Sequence, residues 1–240
     1  MFIPLKDDQP TVRFPHLTIG LIFVNTAVFL YSQTLGQQGF ERFMILFGFT
    51  PDLFFDFGST YQAPPWLLAT PITSMFVHGG WMHLIGNMLF LWIFGRSIED
   101  YFGPVRFVLF YLVSGIAAVA VYTLFNPSTQ TPLVGASGAI AGVMGAYMML
   151  HPRARILVLI FFFFIFLRHF SAKLVLGVWF AFQVYMSLIS GIAAGAGGGV
   201  AFMAHVGGFI FGYLLLRTLL QFKGRGGGPT GEQRVYRVHW

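Results

Sequence analysis

No cysteine occurs in the chain, so neither a disulfide framework nor a cysteine-ligated metal site can form. Charge is almost as scarce. Asp, Glu, Lys and Arg make up 9% of the 240 residues, against about 25% in ordinary soluble domains, and no acidic residue stands between Asp100 and Glu232. With 56% of the residues hydrophobic, the composition is that of a membrane protein. The absence of carboxylates from apolar segments argues against a proton or small-molecule transporter, as does the lack of an inverted internal repeat. The N-terminus MFIPLKDDQPTVRFPH has no apolar stretch ending in a cleavage site, so no removable signal peptide is expected.

What the chain does have is long apolar runs. Segments of roughly 20 mostly apolar residues cross the hydrocarbon layer, and six candidates stand out: 17–33, 82–98, 104–125, 136–150, 172–190 and 202–221. The fold class expected is therefore all-α, a polytopic protein of six transmembrane helices. Ile156 to Phe166, ILVLIFFFFIF, is too short to span and reads as an interfacial or re-entrant piece. The long first loop, 34–77, contains an aromatic stretch, 40–57, broken by Glu41, Arg42, Asp52 and Asp56, and is expected to lie half-submerged in one leaflet.

Cytoplasmic loops are enriched in Lys and Arg. With the N-terminus inside, thirteen of these residues fall on the inner side and Arg42 alone falls outside. This bias predicts that both termini are cytoplasmic, with residues 1–16 as an N-terminal segment, 17–221 as the six-span unit and 222–240 as a flexible Gly-rich tail. The formal charge of +6 then reflects head-group contacts at span ends and implies no nucleic-acid partner.

In this topology the second, fourth and sixth spans all begin at the outer face, and the unusual polar residues cluster there. The second carries His78, His83 and Asn87, the fourth opens on Gly135-Ala136-Ser137-Gly138, and the sixth opens on Ala204-His205. His83 and Asn87 are four apart and share a helix face. Gly138, Gly142 and Ala146 form one ladder of small residues, and Ala204, Gly208 and Gly212 form another. Such ladders let helix backbones approach closely in lipid. Packed in parallel, they would bring the Ser137 hydroxyl within reach of the His205 imidazole. A serine needs a base to become a nucleophile, and with no carboxylate to orient the imidazole the expected arrangement is a Ser-His dyad. Oxyanion stabilisation would come from the free N–H groups of Ser137 and Gly138 at the helix start, and from His83 and Asn87.

These motifs, together with SMFVHGGWMHLIGNMLFLWIFG on the second span, resemble the rhomboid family of intramembrane serine proteases, in particular its six-span bacterial branch. The resemblance implies that Ser137 is the nucleophile and His205 the general base, with His83 and Asn87 at the oxyanion. It further implies that His78, Gly135, Gly208 and Gly212 support the site. Substrates would be single-span membrane proteins cut in or near the bilayer of a bacterial inner membrane, with the site toward the outer face and with no metal or cofactor required. Some members carry an aromatic residue one turn after the nucleophile, where this chain has Ala141. Trp179 and Phe180 on the fifth span are candidates for a side gate admitting a substrate helix, and the loop 191–202 for a mobile lid. The competing reading is a non-catalytic rhomboid-like protein that binds membrane helices for quality control. Such proteins typically lack the Ser or the His.

Overall fold

The computed structural model describes residues 2–56, 64–161, 164–192 and 201–225. Most of the proposed lid and all of the tail beyond Arg225 lie outside the described residues. The helices follow the apolar runs. α1 (His16–Gln33) begins after Pro15 and has no side-chain cap of its own. Its exposed first-turn donors are met instead by Glu99, whose carboxylate accepts from the N–H groups of Leu17 and Thr18 at 2.9 and 2.7 Å and from the Thr18 hydroxyl at 2.7 Å. Asp100 similarly accepts from the N–H groups of Val12 and Arg13. These two buried acids therefore clamp the chain entering α1 and take no part in the polar cluster at the opposite helix ends.

α2 (Gly36–Phe47) and α3 (Pro51–Asp56) occupy the long first loop, and no residue of α2 is buried. Short turns, Pro65–Ala69, α4 (Thr70–Thr73) and Ser74–Phe76, lead from it to α5 (Trp81–Phe90). A π-helical turn over Leu91–Gly95 joins α5 to α6 (Arg96–Phe102). Gly103, at φ +77°, ends this rod, and Pro104 opens α7 (Pro104–Phe125), the Gly-then-Pro order expected where one helix stops and the next starts.

α8 (Ser137–Leu150) is the shortest of the long apolar helices and lies at the centre, with every residue buried except Ser137 and Met148. A helix apolar all round belongs in such a position. α9 (Ala172–Ile192) and α10 (Phe202–Arg225) complete the bundle. Among the described residues, four helices are long and apolar enough to cross a membrane: α1, α7, α9 and α10. α8, at 14 residues, spans only ~21 Å.

The all-α expectation needs correction. β1 (Phe2–Asp7), β2 (Arg155–Phe161) and β3 (Ile165–Ser171) form an antiparallel sheet in that order. Most of the run read as interfacial or re-entrant, 156–166, is strand, with Leu159 opposite Ile3 on one side and Leu167 on the other. Its β-branched and aromatic residues suit a pleated surface, and Ile156 and Val158 point from alternate positions into the core while Leu157 is half-buried. The N-terminal segment supplies the third strand. Asp7 at the end of β1 is 2% exposed, pairs with Arg96 and accepts from the Tyr147 hydroxyl at 2.7 Å.

Candidate active site

The two glycine ladders interlock. A Cβ placed on Gly208 would strike the carbonyl of Gly138, one on Gly212 would strike that of Gly142, and one on Gly145 would strike that of Phe209. α8 and α10 are therefore in backbone contact, which only residues without side chains permit. At the first turns of these helices, the Ser137 hydroxyl lies 2.7 Å from Nε2 of His205. Both residues are half-buried.

The approach to α8 is equally constrained. Gly135 has φ +116°, and its N–H donates to the Ser74 carbonyl at 2.9 Å. An added Cβ would lie 2.5 Å from Nε2 of His83 and 3.5 Å from Nδ2 of Asn87. The side chains of His83 and Asn87 thus lean on the backbone two residues before Ser137. Asn87 is buried, and its side-chain amide nitrogen has no hydrogen-bond partner among the described residues. The N–H groups of Ser137 and Gly138 belong to the first turn of α8 and have no helical acceptor. The His78 ring, 1% exposed, meets that of His83 edge-on at 5.1 Å, so His78 packs against His83. Among the described residues, no three His, Asp or Glu side chains are grouped so as to share a metal ion.

α9 closes the other side. The Trp179 ring lies 5.9 Å from the His205 ring at 35°, and as far from Phe209. Phe180 stacks on Phe209 at 4.9 Å. Both candidate gate residues therefore rest against α10, Trp179 beside the His205 ring and Phe180 on Phe209. One turn further along α9, Oε1 of the buried Gln183 lies 2.7 Å from Nδ1 of His205.

The rhomboid domain family matches residues 65–222. The chain belongs to this family. Rhomboid protein 1, mitochondrial, of Saccharomyces cerevisiae is 33% identical over 148 residues, 60% of this chain and 39% of that protein. RHOMBOID-like protein 4 of Arabidopsis thaliana is 36% identical over 149 residues, 62% of this chain and 33% of that protein. Rhomboid protease GluP of Bacillus subtilis is 42% identical over 85 residues, 35% of this chain and 16% of that protein. The matched part of this rhomboid chain thus spans well under half the length of these curated relatives.

The matched segment contains Ser137, His205, His83, Asn87, His78 and the glycines of both ladders, and leaves out β1, α1, α2 and α3. Gln183 is the site residue that sequence reasoning passed over. A signal for it existed: an amide within the apolar run 172–190, four residues after Trp179, is costly at membrane depth and should face a polar partner.

Proposed function

We propose that this rhomboid is an intramembrane serine endopeptidase acting through a Ser-His dyad on single-span membrane proteins. The observation that carries the reading is the 2.7 Å contact between the Ser137 hydroxyl and His205 Nε2, held by two helices in backbone contact. In the first step Nε2 accepts the Ser137 proton as Oγ bonds to the scissile carbonyl carbon. The N–H groups of Ser137 and Gly138, with Asn87 and His83, stabilise the oxyanion. Collapse breaks the C–N bond as His205 returns the proton to the leaving amine. Water, deprotonated by His205, then attacks the acyl-enzyme, breaks the ester and regenerates the Ser137 hydroxyl.

We read α1, α5 with α6, α7, α8, α9 and α10 as six spans, with both termini in the cytoplasm of a bacterial cell, the site toward the outer face of its inner membrane and the α2 segment half-submerged. The Lys and Arg distribution and the wholly unburied α2 support this. Trp179 and Phe180 are proposed as the gate through which a substrate helix enters.

The test uses the purified chain in mild detergent, with a mechanism-based serine hydrolase probe and a single-span reporter. Wild type should label and cleave, and Ser137→Ala and His205→Ala should do neither, a loss of about 10⁴-fold or more in cleavage. Cleavage by Ser137→Ala would overturn the mechanism. A folded wild type inert in both assays but retaining the reporter on a column would favour the non-catalytic, helix-binding alternative.

A further inference from the structure

A base that is to take a proton on Nε2 must carry its own proton on Nδ1. In neutral histidine one ring nitrogen donates and the other accepts, and which does which is set by the hydrogen bond the other nitrogen makes. If Nε2 carried the proton, it would donate to Ser137 Oγ and the dyad would be wired backwards. In a serine triad a carboxylate beside Nδ1 prevents this, and here no acidic residue lies between Asp100 and Glu232.

Oε1 of Gln183 occupies that place, 2.7 Å from Nδ1. An amide oxygen accepts and cannot donate, so the contact requires a proton on Nδ1 and leaves Nε2 free to accept from Ser137 at 2.7 Å. The side chain is 5% exposed, so water competes poorly for the imidazole. The Ser187 hydroxyl donates to the backbone carbonyl of Gln183 at 2.7 Å, and the ring of Trp179, one turn before Gln183, lies 5.9 Å from that of His205 at a tilt of 35°. α9 thus meets the imidazole at Nδ1 through Gln183 and beside the ring through Trp179.

We propose that Gln183 is the positioning residue of the dyad, fixing the tautomer and plane of His205 as a neutral stand-in for a triad carboxylate. This rests on the endopeptidase reading for its consequence in turnover, but the tautomer itself can be read without turnover. Because Gln183 is neutral, it orients the imidazolium formed during reaction without the charge pairing a carboxylate would add. Among the described residues, the titratable group within electrostatic range of His205 is His83 on α5.

The full chain in detergent, with its histidine ring nitrogens labelled with ¹⁵N, would be compared as wild type, Gln183→Met and Gln183→Glu, the His205 signal being assigned by its loss in His205→Ala. Wild type should show Nδ1 protonated and Nε2 bare. Gln183→Met, close in shape but unable to accept the bond, should populate the opposite tautomer and lower kcat by about 10- to 100-fold with KM little changed. Gln183→Glu should restore the Nδ1 proton and recover most of kcat. It should also move the acid limb of the cleavage profile to higher pH, because a carboxylate stabilises the imidazolium. A Gln183→Met protein that keeps the wild-type tautomer would overturn the proposal. So would equal losses in both variants that track a lowered melting temperature with an unmoved pH profile. Should the wild type fail to cleave, the endopeptidase reading falls, and the ¹⁵N spectra still decide the role of Gln183.

Discussion

Gly135 concentrates two demands at one residue. Its φ of +116° lies where an L side chain is strained, and the space where a Cβ would go is taken by the His83 ring, 2.5 Å away. The glycine therefore lets the backbone turn into α8 and lets His83 pack against that turn. Gly135→Ala is expected to cost about 1–3 kcal/mol, read as a lower melting temperature in detergent. By displacing His83 it should also reduce reporter cleavage by about a hundredfold, with Ser137 and His205 both still present. Unchanged cleavage in a folded Gly135→Ala protein would show that His83 contributes nothing to the reaction.

At the scale of the element, α8 is a narrow rod whose narrowness sets the distance between the Ser137 hydroxyl and the His205 imidazole. Gly142 and Gly212 face each other across the α8–α10 contact, and any side chain on Gly212 meets the Gly142 backbone. Gly212→Val should force the helices apart, cost about 1–3 kcal/mol or more from overpacking and abolish probe labelling of Ser137 two turns away. Gly177 on α9 is the matching control, since nothing lies within 4 Å of its Cβ position. Gly177→Ala should leave labelling unchanged and raise stability by up to about 1 kcal/mol, because alanine loses less backbone entropy in a helix. Equal effects from the two substitutions would contradict the close-packing account.

For the whole molecule, the far end of α8 is tied to the first strand. Asp7 is buried between Arg96 and the Tyr147 hydroxyl, so one carboxylate joins β1, α6 and α8 opposite the candidate active site. Removing one partner of a buried ion pair leaves the other without compensation and costs about 3–5 kcal/mol. Asp7→Ala is expected to lower the melting temperature by that equivalent while leaving probe labelling of Ser137 intact at low temperature. Loss of labelling without loss of stability would mean that the N-terminal strand acts directly on the site.

The sequence by itself determined where most of the helices run and which polar residues stand near their starts, because both are local signals. Apolar length marks the helices, and Ser137, His83, Asn87 and His205 are conspicuous at helix starts in a chain so poor in polar groups. The small-residue ladders even indicated which helices would meet. Only the tertiary structure decided the rest. The run after α8 is apolar throughout, a pattern that suits a buried strand as well as a helix, and its partner β1 lies at the other end of the chain, where no periodicity can reveal the pairing. Glu99 and Asp100 are ordinary acids until folding brings them to the start of α1. Gln183 is one amide in a greasy helix until α9 crosses α10 at the height of His205, since the facing of two helices depends on their crossing and depth and not on either sequence alone.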